Sequence, residues 1–395
     1  MAVGTTVGSD SENEHAVRSN DNVNMKKRDF CEEFFIELDY IAFWKFGVYF
    51  QKFSPQRSKH AKIALILDRR SSQTFSVAAS GSDQPGRKVP PDLLYFWSPI
   101  PMNLWKNYHN ARSVQDALQA LSAAPGDASL IAGGTDLLLD LQQGRHAPVH
   151  TLVDITAIPE MTALEIREGE LYIGAAVPHA QITQSKIVNQ HAAALATASG
   201  LVGGPQVRNT ATLGGNVAHA LPAADGTIAL VALDAQAVIA SSAGTRRLPL
   251  EELFLGPGRS ALEPRGELLV GFYLPLKGIQ QASAFKRIMR PQGVAIAILN
   301  TAVWLHREGD TIADVRIAIG PSGPVPRRLR QAEDALRGQT FGTEAIQAGI
   351  DGAQAEANFR TSRHRSTKEY RQKMAGVLLE DTLNMAWRDA GKAGN

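Results

Sequence analysis

Two stretches decide how this chain is read: LIAGGTD at Leu130–Asp136 and ATLGGNVAHALPAADG at Ala211–Gly226. Each sets two adjacent glycines after an apolar residue and follows them with a hydroxyl or an amide. Glycine reaches backbone conformations closed to other residues and lets a main chain approach a ligand closely. N–H groups bared at such a turn, beside a helix start, favour a phosphate. In the first stretch a short buried strand, ASLI, runs into the glycine turn. A helix, TDLLLDLQQG, then follows, capped by Thr135 and ended by Gly144. The second stretch repeats the device at Thr212-Leu213-Gly214-Gly215-Asn216. The pair is expected to meet and hold the two phosphates of one extended dinucleotide. Neither stretch is a P-loop, and neither fits G-x-G-x-x-G in a strand-turn-helix setting, so a nicotinamide Rossmann site has little support.

Outward from the loops, strand and helix patterns alternate. SVQDALQALSAAPG has helical apolar spacing, with Ser113 as N-cap and a Pro-Gly stop. LEIREGELYIGAAV alternates with period two around a turn at Glu168-Gly169, which predicts two short strands. HTLVDIT and GELLVGFYLP read as strands, and TIALVALDAQAVIASSAGTRRLPLEELF as a helix passing into a strand pair. After about Lys277 the segments SAFKRIM, AIAILNTAVWLH and IADVRIAIG predict an antiparallel sheet. RRLRQAEDALRG and TKEYRQKMAGVLLEDTLNMAWRDA predict amphipathic helices.

Composition bounds the function. The 395 residues, 44% of them apolar, suffice for two or three domains. A net charge of +2 and the absence of a basic stripe give nucleic acid no foothold. The single cysteine, Cys31, forbids an intrachain disulfide, a four-thiolate zinc site and an iron–sulfur cluster held by this chain alone. No uninterrupted apolar run approaches the roughly 20 residues of a membrane span, and no signal peptide is evident. The chain is therefore read as cytoplasmic. No catalytic residue and no metal ligand stands out. Residues 1–101 hold more than half of the aromatics and open on a polar stretch. They are read as an N-terminal extension, disordered at least at its start, or as a misassigned start preceding Met102.

The segments LIAGGTDLLL, GGPQVRNTATLGGNVAHALPAADGTIALVALDA and LEPRGELLVGFYLP, the last followed by SAFKRIMRPQG, resemble the FAD-binding subunit of the molybdenum hydroxylases. Xanthine dehydrogenase and aerobic CO dehydrogenase belong to that family. The resemblance runs from Met102 to about Ala390 and implies an α+β fold. Residues 102–278 would form a PCMH/VAO-type FAD-binding domain of two α/β subdomains. Residues 279–390 would form a smaller C-terminal α+β domain of antiparallel sheet and helices. Carried over residue by residue, Ala132, Gly133, Gly134 and Thr135 match the first pyrophosphate loop, with Leu130, Ile131 and Asp136 beside it. Thr212, Gly214, Gly215 and Asn216 match the second. His219 falls near the flavin diphosphate and Asp225 at the ribityl or ribose region. Leu269 and Lys286 fall about the isoalloxazine, to within one residue of alignment. From the residues alone, His219 is equally a helix-start histidine, Asp225 a helix cap and Lys286 a solvated strand residue.

The resemblance implies an electron-transfer oxidoreductase. Two [2Fe–2S] clusters would sit on a small partner subunit and molybdopterin on a large one. FAD on this chain would pass electrons to NAD+, a quinone or another acceptor. A stand-alone FAD oxidase of the same fold is the alternative enzyme, and a non-redox nucleotide-binding module the alternative outside enzymes. The basic run TSRHRSTKEYR reads as a solvated tail or a face for an acidic partner. Arg327 and Arg328 read as a solvated helix start.

Overall fold

The computed structural model describes residues 103–290, 296–363 and 365–392, together with two isolated strands near the N-terminus. The latter, β1 (Lys62–Leu65) and β2 (Val77–Ser80), pair antiparallel with each other. They belong to a unit, Met1–Phe96, separate from Trp97–Asn395. The rest of the expectations for residues 1–101, Cys31 included, lies outside the described residues.

The second unit begins with a small parallel sheet. Strand β3 (Trp105–Asn110) leads through helix α1 (Val114–Ala123) to β4 (Ala128–Ile131), and on through α2 (Leu137–Gln142) to β5 (Val149–Asp154). β5 lies between the other two, in the order β3-β5-β4. Ser113 caps α1 as the sequence suggests, its Oγ accepting from the Asp116 N–H at 3.1 Å. The cap of α2 falls at Asp136, not Thr135, and no side chain bonds to the helix there. The positive φ of Gly134, +66°, places the turn one residue before the expected hydroxyl and lets the Leu138 N–H reach the Gly134 carbonyl at 3.0 Å. β4 is half-buried except at Ile131, more open than the buried strand expected.

A five-stranded antiparallel sheet follows, in the order β6-β7-β12-β8-β9. β6 (Leu164–Arg167) and β7 (Glu170–Gly174) form the hairpin that the period-two pattern predicts. Glu168 and Gly169 both take positive φ, 56° and 80°, as a tight primed turn requires. The chain then makes α3 (His179–Gln184), α4 (Lys186–His191), α5 (Ala193–Gly200) and a single helical turn, Pro205–Arg208, before α6 (Leu213–Ala218) and α7 (Asp225–Ala232). β8 (Gln236–Ser241) and β9 (Gly244–Pro249) complete one edge of the sheet. A two-stranded pair, β10 (Phe254–Gly256) with β11 (Arg259–Ser260), precedes the central β12 (Glu267–Pro275). α7 is buried at every position, so its apolar run IALVA encounters protein on all sides.

The last three strands, β13 (Gln281–Ile288), β14 (Leu299–Glu308) and β15 (Thr311–Gly320), form an antiparallel sheet in that order. α8 (Arg330–Leu336), α9 (Thr343–Glu356) and the long α10 (Lys368–Lys392) end the chain. Strand alternation gives this sheet two apolar faces. Phe285, Ala302 and Ala318 join the core of the first part, with Leu195, Leu213 and Ile228. Ala284, Val303 and Ile317 join a second core with Leu336, Leu379 and Leu383. The sheet is thus a middle layer with helices on both sides. Burying both faces accounts for strands that are near-continuous in apolar residues despite antiparallel pairing.

Candidate functional site

The two glycine loops meet. A Cβ placed on Gly133 would fall 2.1 Å from the Thr210 carbonyl oxygen and 2.8 Å from the Ala211 Cα. Only a residue without a side chain lets the first loop lie against the segment entering the second. The second loop is packed as tightly. A Cβ on Gly214 would fall 2.5 Å from that of Ala175, and the Gly214 N–H donates to the Ala175 carbonyl at 2.8 Å.

The loops differ in what they leave open. In the second loop, Leu213 donates its N–H to the Val177 carbonyl and Asn216 to the Thr212 carbonyl. The Gly215 N–H goes to the Thr212 side-chain oxygen at 3.2 Å. Its backbone donors are therefore spent on the chain itself. In the first loop, the N–H groups of Ala132, Gly133, Gly134, Thr135, Asp136 and Leu137 find no acceptor among the described residues. Leu130 and Ile131 are the end of the strand that delivers them.

Asn216 ties α6 to α7. Its Oδ1 accepts from the Thr227 N–H at 3.1 Å and from the Thr227 hydroxyl at 3.2 Å. A Cβ on Gly226 would lie 2.9 Å from that Oδ1, so glycine is needed for the bond to form. His219 is half-buried at the C-terminal end of α6. Beneath the loop, His179 is 1% exposed and donates its backbone N–H to the Ala211 carbonyl. Its Nδ1 shares a hydrogen bond with Ser199 Oγ at 3.2 Å, and its Nε2 has no partner among the described residues. Burial, aided by the charge of Arg208, pushes this imidazole down to about 4.

Asp225 sits in the first turn of α7, 6% exposed, and makes no capping bond. Its carboxylate accepts instead from the Arg287 guanidinium at one oxygen and from Asn300 Nδ2 at the other, the latter at 2.6 Å. Arg287 and Asn300 face each other across β13 and β14. Burial pushes the Asp225 carboxyl up; Arg287 and Asn300 oppose that.

Lys286 and Leu269 are placed otherwise. Lys286 turns to the opposite face of the sheet, where its ammonium pairs with Asp381 of α10. It is Arg287, one position on, that reaches the Asp225 side. Leu269 is 5% exposed in the middle of β12, at a register shift before Gly271, and belongs to the core. The structure thus brings together the first loop, the second loop and Asp225 through α6 and α7, and leaves Lys286 off that face.

A profile described as "FAD binding domain in molybdopterin dehydrogenase" matches residues 102–277, and one described as "CO dehydrogenase flavoprotein C-terminal domain" matches 283–386. The carbon monoxide dehydrogenase medium chain of Hydrogenophaga pseudoflava is 32% identical over 280 residues, 71% of this chain and 96% of that one. The chain belongs to the FAD-binding subunits of the molybdenum hydroxylases. The putative xanthine dehydrogenase FAD-binding subunit of Escherichia coli (strain K12) is 30% identical over 288 residues, covering 72% of this chain and 97% of its own length. A solved structure of carbon monoxide dehydrogenase from Hydrogenophaga pseudoflava, one lacking the Mo-pyranopterin moiety of the molybdenum cofactor, superposes with a TM-score of 0.68. That match covers 72% of this chain and 97% of the other, at 32% identity.

The family makes this chain an oxidoreductase subunit and FAD its cofactor. The residues fit that group. Six consecutive unpartnered amides, held by a glycine where a Cβ would collide, suit a diphosphate. No group of three or more His, Cys, Asp or Glu among the described residues is placed to hold a metal. No helix among them is long and apolar enough to cross a membrane.

Sequence reasoning missed Arg287, Asn300 and His179. Arg287 stood beside the chosen lysine, and strand alternation would have separated the two had the inward face been known. Asn300 and His179 lie in apolar text that marks neither.

Proposed function

We propose that this chain holds the FAD diphosphate against the amides of Ala132–Leu137, at the place where Gly133 meets Thr210 and Ala211. It would act as the flavoprotein component beside a small [2Fe–2S] subunit and a large molybdopterin subunit. The observation that carries the reading is the contact of the two glycine loops. Bound there, FAD supplies a centre that exchanges electrons singly or in pairs. The acceptor is proposed to be NAD+ or a quinone.

The chain's own residues bind and orient. The first loop donates hydrogen bonds to the anionic diphosphate. Thr212, Gly214 and Gly215 form the opposing wall, kept rigid by their internal bonds. Asn216 holds α6 to α7 and so fixes Asp225 relative to that wall. With one bond at each oxygen, the Asp225 carboxylate retains lone pairs for a sugar or ribityl hydroxyl. Arg287 and Asn300 oppose the neutralising effect of burial on this carboxyl and orient it for that bond. Lys286 and Leu269 are given no contact with the cofactor, and His219 stands near the diphosphate wall through α6.

A Gly133→Ala substitution tests the assignment. The methyl cannot be placed without moving the Thr210 carbonyl, so flavin absorbance per chain is expected to fall by roughly tenfold or more. Gly342→Ala, where the added methyl meets nothing within 4 Å, is expected to keep its flavin. Full flavin content in the Gly133 variant would end the proposal. Copurification of cysteine-rich and molybdopterin-binding chains tests the assembly, and reduction of NAD+ against a quinone by that complex tests the acceptor.

A further inference from the structure

The run TSRHRSTKEYR, Thr361–Arg371, is not simply solvated. Arg371, near the start of α10, is 2% exposed. Its Nε and Nη1 are buried without a hydrogen-bond partner among the described residues. The preceding segment folds back over the helix start. The Ser362 N–H reaches the Ser366 carbonyl at 2.8 Å, and the Arg365 N–H the Ser362 carbonyl at 3.2 Å. The Lys368 N–H bonds to the Thr361 hydroxyl at 3.0 Å. These bonds bring the backbone of Thr361–Ser366, with Arg365 half-buried and Arg360 exposed beside it, onto the first turn of α10, where Arg371 lies. Burial first, then Arg365 and Arg360, pushes the Arg371 guanidinium down; burial and Arg360 do the same to Arg365. No carboxylate among the described residues pairs with any of the three.

A guanidinium buried without acceptors beside two like charges is costly, and folded chains compensate such groups with a counter-charge. We infer that Arg360, Arg365 and Arg371 form a binding site for a small oxyanion of the phosphate class, with Arg371 at its inner end and Arg360 at its mouth. Each arginine brings a planar set of five N–H donors, more than a single carboxylate can use from three directions. A tetrahedral anion accepts from several directions and carries up to two charges. Arg371 is buried, Arg365 half-buried and Arg360 exposed, so the site would be entered from the Arg360 side. The site belongs to the helical layer beyond the β13–β15 sheet, while Asp225 is bonded from the opposite face of that sheet.

Calorimetric titration of inorganic phosphate into the FAD-loaded full-length chain, at ionic strength matched with chloride, tests this. With FAD in place the diphosphate site is filled. Saturable one-to-one binding is expected. Arg365→Gln should weaken it by about tenfold, the loss of a charged hydrogen bond. Arg371→Met should abolish it. Arg388→Gln, at the far end of α10, should leave it unchanged. Because the buried Arg371 variant risks unfolding, the half-buried Arg365 variant carries the test by itself. Absence of saturable binding, or equal affinity in wild type and Arg365→Gln, would overturn the inference.

Discussion

Arg287 and Asp225 make the most consequential side-chain pair in the molecule. Both are almost fully buried, and removing one partner leaves an uncompensated charge. Arg287→Met is expected to lower unfolding stability by about 3–5 kcal/mol. Adding Asp225→Asn to it should recover much of that loss, since the orphaned carboxylate is gone. Chemical denaturation of the two variants and of Asp225→Asn alone reads the coupling; additive losses would mean that the pair does not act as a unit. The sequence showed Asp225 as a helix-start acid and Lys286 as a strand cation, yet not which neighbour turns inward. A period-two strand settles that only once its buried face is known, and both faces of β13 carry apolar residues. His179 is a second case. Its folded value of about 4 lies below the ordinary 6.5, so the unfolded chain takes up a proton that the folded chain refuses. Stability contributed by this neutral imidazole is complete above about pH 6.5 and is lost as pH falls towards 4. Between pH 7 and pH 5 the loss is about 2 kcal/mol. Urea midpoints at the two pH values should converge in His179→Gln relative to wild type.

Helix α9 shows what element-level patterns conceal. Its text, TEAIQAGIDGAQAE, contains two glycines and only a few large apolar residues, so helical spacing alone does not announce it. The glycines are there for contact with α8. A Cβ on Gly352 would fall 2.8 Å from the Gln331 carbonyl oxygen, a backbone atom. One on Gly349 would fall 2.7 Å from Leu336 Cδ1, the end of a flexible side chain. In a free helix, Gly→Ala stabilises by about 1 kcal/mol. Gly352→Ala is expected instead to destabilise by about 1–3 kcal/mol, because two helix backbones must separate. Gly349→Ala should cost less than Gly352→Ala, since the atoms its methyl meets belong to the Leu336 side chain and not to a backbone. Thermal melts of the two variants would refute this packing account if the order were reversed. By contrast, the β6–β7 hairpin and the cap of α1 were legible in advance, because a turn at Glu168-Gly169 and a serine at Ser113 act within a few residues of themselves.

At the scale of the whole unit, the alternation of strands and helices and a dinucleotide site at the two glycine loops were legible from the residues, and the family resemblance made the dinucleotide FAD. The sharing of one sheet between two cores was not. That arrangement joins segments far apart in sequence, as the Ser283 hydroxyl does in accepting from the Ala194 N–H at 3.1 Å. The ion pairs of Arg328 repeat it. Arg328 bonds to Glu333, 1% exposed, and reaches back to Asp234, while its backbone N–H goes to Glu251. The solvated helix start expected at this position is instead a half-buried cross-tie, because two of its acidic partners, Glu251 and Asp234, lie 77 and 94 residues back in the sequence.

The asymmetry between the two glycine loops has a cost for the empty chain. One wall is self-satisfied and stands ready; the other keeps six donors that water must serve until a diphosphate arrives. If the diphosphate docks on the first loop as proposed, cofactor capture would complete the fold on one side only, and limited proteolysis of the FAD-free chain is expected to cut first between Ala132 and Leu137.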